Sequence, residues 1–236
     1  MKFKVTPQRI PDILLIEPTV YSDDRGYFKE SYNLQDFEEF LPGVKFVQDN
    51  ESQSTRGVLR GLHFQKAPHA QAKLIRVIRG EIYDVAVDIR PDSPTYLQYT
   101  DAVLSAENHY QFFIPRGFDH AFLVTSEEAI VQYKTDNFYH PASDSGIHPH
   151  DSKLGIPWPI SKDGHMLSDK DNVLPLLSDE IWNDYWQIEV LKAENLERIH
   201  FSWYSISKYF FQNKRNCIHF DIILNVPSEY WNFKGA

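Results

Sequence analysis

Cysteine and long apolar runs are scarce in this chain. Cys217 is the single cysteine of 236 residues, so it can form no internal disulfide, and no Cys/His zinc pattern surrounds it. No apolar run approaches the ~18 residues of a membrane span. Polar residues from Gln8 onward break the apolar region that a signal peptide needs. These absences lead us to expect a cytoplasmic protein with no membrane partner.

Positive charge is also scarce, because 24 Lys and Arg residues face 33 Asp and Glu residues and the formal net charge is −9. A general nucleic-acid surface needs a basic face, so we expect no nucleic-acid partner. An acidic protein repels a phosphorylated ligand at long range. Any phosphate site therefore requires a local group of Arg and Lys side chains.

Turn residues recur at short spacing through the first ~160 residues, with β-branched and aromatic runs between them. Asn33 is suited to cap a short helix over 34–41, and Arg79-Gly80 indicates a hairpin between strands 73–78 and 81–89. Many short strands with little helix favour an all-β sandwich, jelly roll or barrel over a parallel α/β sheet. The other predicted strands are 13–21, 96–104, 110–114, 121–124 and 129–134.

The pattern changes after Pro159. Residues 176–194 are predicted to form a helix, with Ser178 and Asp179 suited to its start. We therefore divide the chain into a barrel domain, 1–180, and a C-terminal helix and extension, 181–236, to which the sequence assigns no function.

Two ionisable side chains occupy otherwise apolar strand faces. Lys73 shares a face with Ile75 and Val77, and Tyr133 shares one with Val131. If those faces point inward, both groups enter an apolar barrel, where an unpaired lysine is expensive to bury. The alternatives are that Lys73 extends to solvent and that Tyr133 is a hydrogen-bonded core residue.

Pro115-x-Gly117-x-x-His120 resembles the second sequence box of the cupin superfamily. The first cupin box needs two histidines separated by one residue to bind a metal, but the matching place reads His63-Phe64-Gln65. The resemblance implies a cupin-type antiparallel jelly-roll barrel that keeps its cavity and uses organic acid–base groups. We expect neither a metal nor another cofactor.

A longer series of motifs resembles the dTDP-4-dehydrorhamnose 3,5-epimerases from Ile13 to about Leu177. The resemblance implies inversion of C3 and C5 of dTDP-4-dehydro-6-deoxyglucose, beside its C4 ketone. The matching motifs are Arg25-Gly26-x-Phe28-x-Glu30-Ser31, Phe46-Val47-Gln48-Asp49-Asn50, Val58-Leu59-Arg60-Gly61-Leu62-His63, Gln71-x-Lys73-Leu74, Asp84-Val85-Ala86-Val87-Asp88-Ile89-Arg90, Ser93-Pro94-Thr95, Leu104-Ser105-x-x-Asn108, Tyr133-Lys134, Trp158-Pro159 and Leu167-Ser168-x-Lys170-Asp171.

The resemblance implies a role for each chemically active residue. His63 matches the base, Asp171 its carboxylate partner, and Tyr133 the proton donor, while Lys73 and His120 match the groups beside the C4 oxygen. An imidazole titrates near neutral pH, where base catalysis is efficient, and a phenol is protonated there.

The resemblance also implies the ligand contacts and a homodimer. An N-terminal segment would cross the dimer interface, so that Arg25 and Glu30 contribute to the site of the neighbouring subunit. The positions similar to diphosphate contacts are Arg25, Arg60 and Lys170; those matching nucleotide contacts are Gln48, Asn50 and Glu30; Tyr139 is suited to stack on thymine and Asp144 to contact the substrate.

Three features depart from the family pattern. Asp144 stands where many relatives have Glu, the motif His148-Pro149-His150 is unusual, and the C-terminal tail is long. We interpret the His-Pro-His motif as a loop, because no third metal ligand is obvious. Three other functions stay open: epimerisation at one carbon or of another nucleotide-linked keto-sugar such as a heptose, sugar-nucleotide binding without catalysis, and metal-dependent cupin catalysis, which Gln65 disfavours.

Overall fold

The computed structural model describes residues 2–177, which form mostly antiparallel strands. The predicted helix over 176–194 falls almost wholly outside the described residues, as do the 181–236 extension and the boundary before it. Within the described part, no helix is long and apolar enough to span a membrane. The short helices are α1 (Leu34–Glu38) and α2 (Asp169–Asn172), and single 3₁₀ turns lie at Pro141–Ser143 and Lys162–Gly164.

The strands form two large sheets and one hairpin. The six-stranded sheet has the order β1-β2-β10-β7-β12-β5, the five-stranded sheet has the order β13-β6-β11-β8-β9, and β3 pairs with β4. The strands are β1 (Phe3–Pro7), β2 (Leu14–Pro18), β3 (Val20–Asp23), β4 (Gly26–Lys29), β5 (Gln48–Thr55), β6 (Leu59–Gln65), β7 (Lys73–Arg79), β8 (Glu81–Asp88), β9 (Tyr99–Ser105), β10 (Gln111–Ile114), β11 (Phe118–Val124), β12 (Glu128–Thr135) and β13 (Asp144–Ser145).

The main apolar core lies between the two large sheets. Ile75 and Phe112 of the six-stranded sheet belong to the same buried cluster as Ile82, Phe118 and Phe122 of the five-stranded sheet. Alternate residues of each strand point to opposite faces, so one face of each sheet encloses this core. The predicted antiparallel jelly-roll barrel with few short helices is therefore confirmed.

A second apolar cluster covers the outer face of the five-stranded sheet. Val85 and Val87 of β8 pack there with Leu62 and Ile147, while the intervening Ala86 belongs to the main core. Strand β8 is therefore buried on both faces, which explains why the polar Asp84 of this strand has no solvent exposure.

The predicted hairpin at Arg79-Gly80 is wrong. Strand β7 pairs with β10 and β12, whereas β8 pairs with β9 and β11 in the other sheet. Gly80 has φ +78°, a conformation that glycine adopts readily. The tight turn thus forms a corner that carries the chain from one sheet to the other.

The N-terminal predictions need smaller corrections. The single strand expected over 13–21 is two strands, because Pro18 has no amide hydrogen to continue the pairing and β3 turns away to pair with β4. The helix begins where predicted, with the Asn33 side chain accepting a hydrogen bond from the Gln35 amide at 2.9 Å, but α1 ends at Glu38.

Gly61 lies where β6 closely approaches β11. Its φ is +109°, and a Cβ atom there would lie 2.4 Å from the carbonyl oxygen of His120. We predict that Gly61→Ala lowers the free energy of unfolding by about 2–4 kcal/mol, since it combines backbone strain with a main-chain clash. Urea denaturation measures the change.

Gly26→Ala is the matched control. Gly26 has φ +126°, and nothing lies within 4 Å of the Cβ position. This variant carries the strain without the clash and should cost about 1–2 kcal/mol. Equal losses in the two variants would contradict the proposed effect of the close strand approach.

Candidate active site

A cavity of about 450 Å³ opens between the two large sheets. A larger surface groove of about 960 Å³ runs along β1 and α1, but it contains none of the predicted site residues. Most of those residues instead line the smaller cavity. They are Asn50, Arg60, His63, Lys73, His120, Tyr133, Tyr139, Asp144, Lys170 and Asp171.

His63 and Asp171 form a close pair on one side of the cavity. His63 Nε2 lies 2.6 Å from Asp171 Oδ1, and Ser168 caps α2 by accepting a hydrogen bond from the Asp171 amide. Burial acts to raise the pKa of Asp171, but the hydrogen bond and charge of His63 together with the hydrogen bonds from Ser168 and the Gly61 backbone outweigh it, so the pKa lies below its usual value. An ionised carboxylate can only accept, so it holds the imidazole proton on Nε2 and leaves the lone pair on Nδ1.

Lys73 reaches into the barrel from the start of β7. Its side chain is 9% exposed, so it does not extend to solvent, and Nζ donates to the His63 carbonyl oxygen at 2.9 Å. Burial lowers the pKa of Lys73 to about 8, even though nearby carboxylates act in the opposite direction. The ammonium form is thus present at neutral pH and is lost as the pH rises through about 8.

Tyr133 lines the cavity from the six-stranded sheet. Its strand β12 lies between β5 and β7, and Tyr133 is in register with Asn50 and Ile75. Burial raises the pKa of Tyr133 above its ordinary value of 10.0, although Arg60 acts in the opposite direction. The phenol therefore stays protonated throughout the neutral range. His63 lies on β6 of the facing sheet, so the imidazole and the phenol approach the cavity from opposing walls.

His120 is paired with a second carboxylate. Its Nε2 lies 2.9 Å from Asp84 Oδ1, and both side chains are buried. Burial lowers the pKa of His120 despite the carboxylate, so a neutral ring that donates to Asp84 is favoured. His120 is opposite His63 in the pairing of β11 with β6, which brings both rings to the same end of the barrel.

Asp144 connects three parts of the cavity wall. Its Oδ1 accepts from Gln65 Nε2 at 3.2 Å, and its Oδ2 accepts from the Tyr139 hydroxyl at 3.1 Å and from the ammonium of Lys170. Burial acts to lower the pKa of Lys170, but the hydrogen bond and negative charge of Asp144, with smaller contributions from Tyr139 and Asp171, raise it overall. Gln65, at the position of the missing cupin histidine, also accepts from the His140 amide at 2.9 Å.

Two further predicted contacts have defined partners near the cavity. Arg60 donates from Nε to Ser54 Oγ at 2.9 Å, which orients the guanidinium. Gln48 is not among the lining residues, but it donates to Asn50 Oδ1 at 2.9 Å and accepts from the Tyr139 amide at 3.1 Å. Gln48 thereby supports two residues that do line the cavity.

Arg25 and Glu30 lie outside the cavity of their own chain. Arg25 is on the β3–β4 hairpin, where its exposed side chain pairs with Asp23. Glu30 accepts a hydrogen bond from Lys2 at 3.2 Å. The structure does not bring them together with the other predicted site residues, and their contribution to a neighbouring site stays a prediction.

The His148-Pro149-His150 motif lies in a loop after β13 and forms a histidine pair that the sequence did not predict. His150 Nε2 lies 2.8 Å from His165 Nδ1, and His165 Nε2 donates to the Ile160 carbonyl at 2.9 Å. Burial lowers the pKa of His150 to about 4, so both rings are neutral at neutral pH. Within residues 2–177, no group of three or more His, Cys, Asp or Glu side chains is arranged to hold a metal ion.

The architecture and these groups define a class, the cupin-type barrel enzymes that work by acid–base chemistry. A sequence model of the dTDP-4-dehydrorhamnose 3,5-epimerases matches residues 7–179. The chain belongs to the dTDP-4-dehydrorhamnose 3,5-epimerase family, as the motifs predicted.

Relatives and solved structures agree with this assignment. The dTDP-4-dehydrorhamnose 3,5-epimerase of Methanothermobacter thermautotrophicus is 50% identical over 183 residues, which are 77% of this chain and 98% of the relative. The Legionella pneumophila dTDP-6-deoxy-D-glucose-3,5-epimerase, in complex with dTDP-4-keto-L-rhamnose, has a TM-score of 0.72 and 44% identity, over 76% of this chain and 96% of that chain. ChmJ, a 3'-monoepimerase from Streptomyces bikiniensis in complex with dTDP-quinovose, has a TM-score of 0.70 and 33% identity, over 81% and 99%.

The hydrogen bond between Asp171 and His63 gives a prediction about the imidazole tautomer. In Asp171→Asn, the amide can donate to Nε2, which moves the ring proton to Nδ1 and removes the lone pair from that atom. We expect the ¹⁵N chemical shifts of His63 to report a change from the Nε2–H to the Nδ1–H form. Base catalysis should fall by about 10²-fold or more.

Asp169→Asn is the control, since Asp169 is an exposed residue on the same short helix. It should leave both the ring shifts and the rate unchanged. An unaltered tautomer in Asp171→Asn would mean that the carboxylate does not orient the ring.

Proposed function

We propose that this protein inverts C3 and C5 of dTDP-4-dehydro-6-deoxy-D-glucose and so produces dTDP-4-dehydro-L-rhamnose. The observation that carries the proposal is the arrangement of His63 and Tyr133 on opposing walls of one cavity that also contains the Lys73 ammonium. Inversion of a carbon needs removal of a proton from one face and its return to the other, which is what two opposed groups can perform.

In the first half of the reaction, His63 accepts the proton from the carbon beside the ketone. The electron pair of the broken C–H bond forms the enolate, whose negative charge collects on the C4 oxygen. Asp171 stabilises the imidazolium that results. Lys73 and His120 would face the C4 oxygen, and a positioned cation in a water-poor cavity is worth about 3–4 kcal/mol of barrier reduction.

In the second half, Tyr133 donates its phenolic proton to the opposite face of the same carbon. The enolate electrons form the new C–H bond and the ketone returns, so the substrate gains no atoms and changes only its configuration. The phenolate recovers a proton from solvent, and His63 releases the one that it accepted. The same groups act in turn on C3 and C5.

The diphosphate of the substrate requires positive charge at its binding site, although the chain as a whole is acidic, with a formal net charge of −9. Arg60 and Lys170 supply it within the cavity, and a guanidinium offers a planar pair of donors to phosphate oxygens. We propose that Asn50 and Gln48 contact the nucleotide, that Tyr139 stacks on thymine, and that Asp144 contacts the substrate.

Exchange in D₂O tests the reaction directly. We expect the dTDP keto-sugar to lose its ¹H NMR signals at both C3 and C5 when it is incubated with the protein. Exchange at one carbon only would support instead a mono-epimerase, the activity of ChmJ. Binding of dTDP without any exchange would support a binding module, and exchange only with another keto-sugar, such as a heptose, would redirect the substrate assignment.

Two variants separate the roles within that experiment. His63→Ala should lower the exchange rate by about 10³-fold or more. The variant should still bind dTDP, which calorimetry measures. Tyr133→Phe should retain exchange but lose the inverted product, because proton removal survives without reprotonation from the opposite face. Tyr110→Phe, which makes the same change outside the cavity, should behave as the wild type. Full epimerase activity in Tyr133→Phe would exclude the phenol as the donor.

We also propose that the protein is a homodimer in which the β3–β4 hairpin completes the neighbouring site. The hairpin exposes the aromatic side chains Tyr21, Tyr27 and Phe28, and its exposed Arg25 does not line the cavity of its own chain. Large exposed apolar groups that lie together on one element are typical of an interface. Cytoplasmic residence stays a prediction from the sequence.

Complementation tests the shared site. Arg25→Ala and His63→Ala should each be inactive alone, but co-expression should restore about one quarter of the wild-type activity, since half of the dimers are mixed and each mixed dimer has one complete site. Sedimentation should give a dimer. A monomer, or mixed chains that stay inactive, would contradict the shared site.

A further inference from the structure

Gln65 is a buried cavity residue to which the proposed reaction gives no role. It lies on β6 two residues after His63, so both side chains share the face that lines the cavity, while Phe64 between them packs with the second apolar cluster. The Gln65 side chain is 7% exposed. A buried side-chain amide is costly unless its donor and its acceptor are both hydrogen-bonded. The partners of Gln65 therefore indicate its role.

Gln65 bridges two points of the loop that follows β12 and ends with Asp144 at the start of β13. Its Oε1 accepts from the His140 amide at 2.9 Å, and its Nε2 donates to Asp144 Oδ1 at 3.2 Å. Gln65 and Asp144 are also opposite each other in the pairing of β6 with β13. The reverse amide orientation would place a donor against the His140 amide and an acceptor against the carboxylate, so these partners fix the orientation of Gln65.

This bridge closes a ring of contacts around Tyr139. The Tyr139 hydroxyl donates to Asp144 Oδ2 at 3.1 Å, and the main chain runs from Tyr139 directly to His140, whose amide donates to Gln65. The Tyr139 amide donates in turn to the Gln48 side chain at 3.1 Å. The residue is nevertheless 51% exposed. An exposed ring that is held at its hydroxyl and at its main chain loses little side-chain freedom when a ligand stacks on it.

Asp144 connects the same arrangement to a positive charge. Its Oδ2 also accepts from the ammonium of Lys170, which lies on α2 and lines the cavity. Because Gln65 holds one oxygen of the carboxylate, the other oxygen is directed toward Tyr139 and Lys170. A single side-chain amide thus supports the groups proposed to contact the thymine and the diphosphate.

We propose that Gln65 is a positioning residue that holds Asp144, and through it Tyr139 and Lys170, in the arrangement that binds the nucleotide end of the substrate. The inference rests on the proposed function, which assigns the thymine to Tyr139 and the diphosphate in part to Lys170. Gln65 transfers no proton in the reaction, so its loss should weaken binding more than it slows the chemical step.

The first test is Gln65→Met, which removes both hydrogen bonds and nearly keeps the size of the side chain. Loss of a hydrogen bond to a charged group should raise the dissociation constant of dTDP about tenfold or more, which calorimetry measures. The KM for exchange at C3 and C5 should rise by a similar factor while kcat changes less than about threefold. A dissociation constant within about twofold of the wild-type value, or a loss confined to kcat, would overturn the inference.

Gln132→Met is the matched control. The Gln132 side chain accepts two hydrogen bonds from Arg76 and does not line the cavity. The control therefore makes the same chemical change at another hydrogen-bonded glutamine of the barrel, and it should bind dTDP as the wild type does. Equal weakening in the two variants would overturn the specific role of Gln65.

Gln65→Glu separates the two bonds of the side chain. The new carboxyl group still offers an acceptor to the His140 amide, but in its ionised form it repels Asp144 and cannot donate to it. The negative charge of Asp144 raises the pKa of the new group above its ordinary value, so at low pH one proton shared between the two groups restores the donor. Relative to the wild type at the same pH, the dissociation constant of dTDP should be about tenfold higher near about pH 8 and similar near about pH 5. A ratio that does not change with pH would overturn the inference.

Other titratable groups surround the Gln65–Asp144 pair, but they are the same in both proteins, so their own titration cancels in this ratio. They are His63 on β6, Lys73 on β7, Tyr133 on β12, Tyr139 and His140 in the loop, and Lys170 on α2.

A double-mutant cycle tests the route through Asp144. Tyr139→Phe keeps the aromatic ring and removes the hydroxyl that donates to Asp144. If both residues act through Asp144, the double variant Gln65→Met/Tyr139→Phe should bind dTDP about as well as the weaker single variant does. Effects that multiply fully would mean independent contributions and would overturn the inference.

These binding measurements use dTDP and need no turnover. Absence of exchange at C3 and C5 in the wild type, together with weakened dTDP binding in Gln65→Met, would overturn the proposed function and leave the positioning role supported.

Discussion

The burial of one ammonium group in an apolar barrel is the constraint on which the rest of the cavity depends. An unpaired cation is expensive to remove from water, so the structure must surround Lys73 with negative charge and acceptors. The carboxyl groups of Asp84 and Asp144, on two strands of the opposite sheet, act in this way. The acid–base pair and the phenol then occupy the space that this cluster leaves between the walls.

His63 and its carboxylate partner Asp171 are far apart in the sequence. They come together because the segment before Asp171 pairs with the start of β6, the strand that carries His63. Met166 pairs with the start of β6: its amide donates to the Gly57 carbonyl at 2.8 Å, and its carbonyl accepts from the Leu59 amide at 3.0 Å. Ser168 then caps α2, which orients Asp171 toward His63. The main-chain bonds of Met166, five residues before the carboxylate, and the side-chain cap of Ser168, three residues before it, thus fix its position, and no large element is needed to hold it.

The sequence predicted the strands wherever apolar residues alternate, as in β12. The same alternation put Lys73 and Tyr133 on apolar strand faces but left open whether those faces point inward. It failed for β5, whose residues Gln48–Thr55 are all polar. That strand lines the cavity with Asn50 and Ser52, so its inward side chains contact ligand space and carry no apolar signal. The hairpin at Gly80 was wrong because a turn signal specifies the turn and not the sheet that the next strand joins.

The sequence motifs led to most of the residues that line the cavity, but they did not predict the contacts that support those residues. Nothing in the sequence signals that Gln65 donates to Asp144 or that His150 contacts His165, because each contact depends on how distant strands or loops are placed.

The corner at Gly80 has a mechanical consequence. Because β7 and β8 are consecutive yet lie in opposite sheets, a short covalent stretch joins the wall that carries Lys73 to the wall that carries Asp84. The distance between these two walls is therefore limited by the covalent β7–β8 connection and does not depend only on packing between segments that are remote in the sequence. Fraying of β1 and β5, the edge strands of the six-stranded sheet, would loosen the rim of the barrel. The covalent connection between β7 and β8 would still hold the two sheets together at the corner.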